Sequence, residues 1–543
     1  MIHPTNEPTP CTVIAEAKAG TLSSRQEGLS AKPHASSKLD LVLHNELAHA
    51  LKPARAFYVT VVLSLLGAFQ FGWLLCQLSY KQFHVKQICQ LPVKIIAYKF
   101  PDYCIMFRGH TQAEWTMVTT AWIVGGGVGA LFSGYPADRF GRKATIGLNA
   151  FIMIAGAVVQ VTSTSIYDMA GGRFVSGVAS GAAINVANVL ISGIAPRAAR
   201  SFYLTSIQIA ISLGALVVTS AHYGMTTDEY TWRLLVAAPV LIGVLQLALL
   251  PFMVESPVWF VAKGRSDLAR RAIARLYLPT SPGATDAVVA AMEAARAEED
   301  AEAAAHHHMR WTILFTAKYR KQLLVSVILA AMQQLCGINA FMYYSVTIFT
   351  SVGINDPRYA NSIINAARLQ DFVQGARRLD RYNRRTLLLG GMSLMVFAGI
   401  GLVVSLANSS NAATPYTSVA CMVMFVAAYC FSIGPLSWII PNELFPDFLK
   451  ARAGAFSTLS TWFCNFFVGV YFQQMADPAN LGNYAFLVFT GITVLAIIFV
   501  YFCVPETNQK SYYEILHAFG VAEKAAARVA VEPQDNQGPD DGK

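Results

Sequence analysis

Eleven stretches of about twenty mostly apolar residues run through this chain, and that repeat constrains its fold more than any other feature. They are Phe57–Leu78, Trp115–Gly134, Thr145–Thr162, Met169–Ile194, Phe202–His222 and Trp232–Val254 in the first half. In the second half they are Gln322–Thr350, Leu387–Ala407, Ser418–Pro441, Ala453–Met475 and Tyr484–Val504. A helix of that length matches the hydrocarbon core of a bilayer. Composition agrees, because only 13% of the 543 residues are charged, against about a quarter in a soluble domain. The expectation is an all-α polytopic membrane protein. Its net charge of +9 then marks loops on the cytoplasmic side rather than an affinity for nucleic acid.

Charge placement asks for a twelfth span. "ADRFGRK" (Ala137–Lys143) follows the second apolar run, and "DRYNRR" (Asp380–Arg385) precedes the run that starts at Leu387. Clusters this basic belong on the cytoplasmic side, as does the polar block Lys263–Lys321. A helix leaving that block at Gln322 emerges on the far side near Thr350, so the chain has to return before Asp380. The crossing falls between about Arg358 and Gly375. The expected organisation is a tail at 1–55, a first bundle at 56–256, a helical linker at 257–321, a second bundle at 322–504 and a tail at 505–543. The polar head has no apolar signal segment and is expected to stay cytoplasmic and disordered. His306–His308 reads as a solvated loop. The cysteines show no metal-ligand spacing; Cys89 and Cys104 share one polar loop, either as a disulfide or as two free thiols.

Ordered motifs make the layout specific. "GYPADRFGRK" (Gly134–Lys143) resembles the G-x-x-x-D-R-x-G-R-[RK] loop of the major facilitator superfamily, and "DRYNRR" resembles its counterpart, with Asn383 where glycine is usual. "GGRFVSG" (Gly171–Gly177), "VESPVWFVAKGR" (Val254–Arg265), "QQLCGINAFMYYS" (Gln333–Ser345), "GPLSWIIPNELFP" (Gly434–Pro446) and "VPETNQKSYYEI" (Val504–Ile515) resemble the sugar porter subfamily. The resemblance covers Phe57 to Ile515. It implies a twelve-span major facilitator fold: two six-helix bundles plus cytoplasmic helices. It also implies a monosaccharide substrate, no cofactor or metal, no nucleic-acid partner, and function as a monomer in the plasma membrane with both termini cytoplasmic.

By the same resemblance, charged loops latch the cytoplasmic side while the bundles rock about a midplane site. One latch comprises Asp138, Arg139, Arg142 and Lys143; the other comprises Asp380, Arg381, Arg384 and Arg385. Glu255, Glu443 and Glu506 supply acidic partners, and Arg173 and Arg200 further basic ones. Two departures thin this network: "NVLISG" (Asn188–Gly193) replaces the family's Pro-x-Tyr-x-x-Glu, and Val258 stands at the family's arginine.

Polar side chains on apolar helices usually face a bundle interior or a cavity. Amides suit sugar hydroxyls because they donate and accept without net charge. Gln333, Gln334 and Asn339 can share a broad face of one helix, followed by Tyr343 and Tyr344. The resemblance adds Gln208, Asn365, Trp438, Trp462 and Asn465. Interhelical hydrogen bonding also draws amides into bundles, and a lone Gln208 is better read that way, the resemblance alone making it a sugar ligand. Thr461 stands where an asparagine is often found, and Ala330-Ala331-Met332 replaces the Gln-Leu-Ser of glucose-selective relatives.

The eighth crossing is the anomaly. "NAARLQDFVQGARRLD" (Asn365–Asp380) puts Arg368 and Asp371 inside the bilayer, where a centred charge costs about 2.5–3.5 kcal/mol. Arg377 and Arg378 reach the surface along their stems. Arg368 and Asp371 are three apart and are expected to pair on one helix face. Three readings stand open: a cavity-facing charged pair, a break in the sequence at this place, or a chain that senses sugar without carrying it. No nucleophile–base set or metal cluster supports an enzyme, and the glycines of "GGGVGA" (Gly125–Ala130) read as close helix packing. Leu74 occupies the position of the aspartate found in proton-coupled relatives, Cys430 that of a tenth-span glutamate, and no Asp, Glu or His lies between Phe57 and Tyr80. The expectation is a facilitative hexose uniporter, with proton symport as the alternative.

Overall fold

The structure is a computed structural model that describes residues 51–519, apart from 197–198, 226–229, 280–282, 306–311, 343–355, 379–381, 409–412, 446, 478, 509 and 511. Strand β1 (Leu51–Pro53) leads into α1 (Arg55–Cys76). A loop with two short helices, α2 (Lys86–Cys89) and α3 (Val93–Lys99), precedes α4 (Gln112–Phe132), α5 (Gly134–Phe140), α6 (Arg142–Thr162), α7 (Ile166–Ile194), α8 (Arg200–Ala221) and α9 (Thr231–Leu249). The linker holds α10 (Pro257–Ala262), α11 (Ser266–Leu276), β2 (Tyr277–Pro279) and α12 (Ala284–Ala305). The second half contains α13 (Arg320–Leu335), α14 (Pro357–Arg378), α15 (Arg384–Ala407), α16 (Thr414–Phe431), α17 (Ile433–Leu444), α18 (Asp447–Met475), α19 (Ala485–Cys503) and α20 (Tyr512–Ala518). β1 and β2 pair antiparallel, Leu51 opposite Pro279. They are the only strands among the described residues, and they tie the start of α1 to the linker. That end is termed the linker face; the residues between α1 and α4 lie at the loop face.

Ten segments among the described residues are helices long and apolar enough to cross a bilayer. The other two expected spans, α14 and α18, are helical too, with 22 and 29 residues. Local signals set several ends. Thr111 and Glu114 form a capping box at the start of α4, and Ser165 and Asp168 do so for α7; each satisfies N–H groups that the first turn leaves unpaired. The α4–α7 crossing explains the glycine run: a methyl group on Gly129 would sit 1.9 Å from the Val178 carbonyl oxygen, and one on Gly181 1.9 Å from that of Gly126. The backbones touch, which only small residues permit.

Packing falls into two groups. α1, α4, α6, α7, α8 and α9 pack among themselves, as do α13–α19, and α8 meets α14 while α4 meets α18 between the groups. At the loop face the groups are joined. Ser79 Oγ donates to the Met342 carbonyl at 3.0 Å, Arg358 Nη1 to the His222 carbonyl at 3.3 Å, and Ser362 Oγ to the Tyr223 hydroxyl at 3.3 Å. The Arg358 guanidinium also lies over the Tyr223 ring, 5.2 Å from its centroid. Nothing in the sequence singled out Arg358; it is one polar residue at a helix start, in no motif.

Two expectations need correction. Gln333, Gln334 and Asn339 do not share one continuous helix: α13 ends at Leu335, and Gly337 turns the chain at φ 92° before helix resumes at 338. A left-handed residue between them rules out a simple 3.6-residue count. Arg368 and Asp371 do not pair either. The Arg368 guanidinium is buried over the Phe372 ring, 5.8 Å from its centroid, and its Nε and Nη1, like Asp371 Oδ2, have no hydrogen-bond partner. Three residues apart on a helix is reach, not contact; the ring draws the guanidinium along its own helix instead.

Candidate functional site

The break after α13 brings a chain of amide side chains together in the second half. Gln333 Nε2 donates to the Gly434 carbonyl at 2.8 Å. That carbonyl lies just past Ser432, where the tenth span divides into α16 and α17 and where Pro435 has no N–H to give. Gln334 Nε2 donates to Gln333 Oε1 at 3.3 Å. Asn339 Nδ2 donates to Gln334 Oε1 and, at 2.8 Å, to Asn465 Oδ1 on α18. Four amides thus form one chain from the seventh span to the eleventh. Gln333, Gln334 and Asn465 are buried and Asn339 is half-buried. Such a chain has donors and acceptors that turn over together, which suits a ligand made of hydroxyls.

The remaining expected site residues divide. Gln208 on α8 is half-buried and donates to no described group. Asn365 on α14 is fully buried; its Nδ2 bonds the Asn361 carbonyl one turn back at 3.0 Å, and its Oδ1 has no partner. Trp438 is half-buried on α17. Trp462 is wedged against the first half, with ring centroids 6.1 Å from Phe71 and 6.2 Å from Trp122. A methyl group on Gly126 would meet its ring at 2.2 Å, so Trp462 belongs to the contact between halves. Thr461 Oγ1 bonds its own helix at Ser457 O. Tyr343 and Tyr344 lie outside the described residues.

The charged turns at the linker face have matching geometry. The Glu255 carboxylate accepts the backbone N–H groups of Arg142 at 3.0 Å and Lys143 at 2.9 Å. The Glu506 carboxylate accepts those of Arg384 at 2.9 Å and Arg385 at 3.0 Å. Each carboxylate covers the unpaired N–H groups and the positive dipole end of a spanning helix. Lys143 Nζ donates to the Pro251 carbonyl just after α9, and Arg385 Nη2 to the Tyr501 carbonyl near the end of α19. Arg142 pairs with the exposed Asp138 at 3.3 Å, and Arg384 with Glu443 at 3.5 Å. Thr507 Oγ1 donates to Glu443 at 2.6 Å; it lies inside the "VPETNQKSYYEI" run, of which only Glu506 had been assigned a role. Arg139 Nη1 bonds the Tyr135 hydroxyl. Arg200 opens α8, in electrostatic range of Tyr277. Asp380 and Arg381 lie outside the described residues. Arg173 departs from the expected network: it is buried two turns from the loop-face start of α7, where Nη1 donates to the Leu74 carbonyl at 3.0 Å and Nε to that of Val118. Its "GGRFVSG" motif opens a helix that starts at the other face, so it is no part of the linker-face charges.

A profile of the family described as "Sugar (and other) transporter" matches residues 59–519. The human "Solute carrier family 2, facilitated glucose transporter member 3" is 28% identical over 480 residues, 86% of this chain and 92% of that one. The mouse member 2 of the same solute carrier family is 31% identical over 413 residues, 75% of this chain and 77% of that one. The plastidic glucose transporter 4 of Arabidopsis thaliana is 30% identical over 409 residues, 73% and 72% of the two chains. Among solved structures, the proton:xylose symporter XylE bound to 6-bromo-6-deoxy-D-glucose superposes with a TM-score of 0.69 over 86% of this chain and all of that chain, at 20% identity. That likeness supports the major facilitator fold.

Proposed function

The chain belongs to the sugar transporter family, and from that premise we propose that it carries a hexose across a membrane by alternating access, as a uniporter. The observation that carries this reading is the four-amide chain Gln333–Gln334–Asn339–Asn465. It joins two spans by side chains that can exchange their mutual bonds for bonds to sugar hydroxyls. Gln208, Asn365 and Trp438, with Tyr343 and Tyr344, complete the site in this proposal; Trp462 seals it against the first half. The bundles are 56–256 and 322–504, with the linker 257–321 and both tails in the cytoplasm of a plasma-membrane monomer. The linker face is then cytoplasmic.

With the halves joined at the loop face, this conformation is closed to the outside. The described partners of Arg142, Lys143, Arg385, Glu255 and Glu506 all lie in their own half. In this proposal these five charges meet partners across the halves when the linker face closes. Uniport rests on the first span: α1 carries no Asp, Glu or His after Arg55, so it offers no proton carrier to the cavity.

Gln334→Ala tests the site. It removes the middle of the amide chain and is expected to weaken hexose binding by about 0.5–1.5 kcal/mol, or more where Asn339 loses its acceptor. Binding titration of the purified variant reads it. Unchanged affinity in a variant that elutes like wild type would overturn the assignment.

A further inference from the structure

Between α1 and α4, His84, Cys89 and His110 place one ligand atom each within 4.8 Å of one another. Cys89 is joined to Cys104 in a disulfide. The four residues are scattered over 27 positions of sequence, which is why spacing alone gave no metal pattern. The imidazoles face each other, His84 Nδ1 to His110 Nε2, at 2.8 Å. Their outer nitrogens meet oxygens: His84 Nε2 lies 2.8 Å from Gln112 Oε1, and His110 Nδ1 contacts the Phe107 carbonyl.

The Phe107 carbonyl only accepts, so His110 Nδ1 carries its N–H and His110 Nε2 presents a lone pair toward His84. Between neutral rings the 2.8 Å contact is then a hydrogen bond from His84 Nδ1 to that nitrogen. A histidine whose one nitrogen is held by a backbone carbonyl has its other nitrogen oriented as a metal ligand. Both rings stack on Trp115, which limits their rotation. A cavity of about 460 Å³, lined also by Arg108 and Glu114, opens beside His110.

We propose that this loop is a Cys2His2 zinc site held in reserve by its disulfide: once a dithiol reduces Cys89–Cys104, His84, Cys89, Cys104 and His110 bind one Zn2+. The two thiols of the reductant are oxidised to a disulfide, and their electron pair cleaves the Cys89–Cys104 bond. Two protons are released as the metal takes both sulfurs as thiolates. Tetrahedral ligands at about 2.0–2.3 Å from zinc lie roughly 3.3–3.8 Å apart, so the two sulfurs have to part and the facing nitrogens have to separate as the metal enters. The loop would stay cross-linked in oxidising and reducing surroundings alike, by a disulfide in one and by zinc in the other.

The test uses full-length protein in detergent, with His306–His308 replaced by alanine to remove an adventitious site. Co2+ serves as the optical probe and Zn2+ as the competitor. Reduced protein is expected to bind one equivalent of Co2+ with the intense visible bands of a tetrahedral ion and a thiolate charge-transfer band, both abolished by one equivalent of Zn2+. Oxidised protein shows neither. His84→Ala/His110→Ala and, separately, Cys89→Ser/Cys104→Ser lose both signatures, and either pair suffices should the other fail to fold. If the bands persist in a folded variant, or if reduction leaves Co2+ binding unchanged, the proposal fails.

Discussion

At Gly141 the chain enters α6 with φ 99°; at Asn383 it enters α15 with φ −61°. Beyond each turn the arrangement is nearly the same. A carboxylate from the end of the same half accepts two consecutive N–H groups, Glu255 for α6 and Glu506 for α15, and the second basic residue covers a carbonyl at the end of the sixth or twelfth span. The first turn needs glycine because its backbone is left-handed and because Glu255 occupies the space of a side chain: a methyl group there would lie 2.4 Å from Oε2. The second turn approaches its helix through extended backbone, which any residue adopts. Asn383, a departure from the family pattern, is therefore no defect. What the halves share is a carboxylate cap, and the glycine serves one way of reaching it.

Removing the caps gives the largest expected effect. Charge-assisted hydrogen bonds contribute about 1.5–3 kcal/mol, and unpaired N–H groups at a helix start add to the loss. Glu255→Ala and Glu506→Ala are each expected to destabilise by about that amount in thermal unfolding of purified protein. Glu506 also accepts the Thr507 and Asn508 N–H groups, whereas Glu255 adds only that of Ser256, so Glu506→Ala is the worse of the two. Equal midpoints for both variants and wild type would break the comparison. Gly141→Ala comes next, at about 1–2 kcal/mol for the left-handed conformation. Asn383→Ala stays within about 0.5 kcal/mol, since its side chain makes no cap bond. A loss at Asn383 as large as that at Gly141 would show that both turns are under the same constraint after all. Asp138→Asn is expected to be similarly small. Its side chain is 78% exposed in the pair with Arg142, and such surface pairs contribute about 0–1 kcal/mol. A clear drop in unfolding temperature there would mean that the Arg142–Asp138 pair is structural.

The fold was legible because it rests on hydropathy, charge sidedness and ordered motifs. Each is a property of the chain alone, and together they asked for an eighth crossing in a stretch where composition argued against one. α14 is a helix there, with Arg368 turned inward. The amide cluster was legible as a set but not as a shape, because its contacts depend on the break at Gly337 and on the division at Ser432, and backbone breaks leave weak marks in a sequence. Arg173 was misplaced because a motif gives residue types without saying which end of a helix they occupy. The closing contacts of Arg358 and the histidine pair at 84 and 110 were missed for a related reason. They join residues from distant loops, and no spacing rule connects them.

Flux through purified protein in sealed vesicles tests the central claim most directly. With no pH gradient, radiolabelled hexose is predicted to equilibrate between the two sides at a rate that Gln334→Ala lowers. An imposed proton gradient is predicted to leave the internal level no higher than the external one. Accumulation above the external level that a protonophore abolishes would contradict uniport, and an absence of hexose flux from correctly folded protein would contradict transport itself.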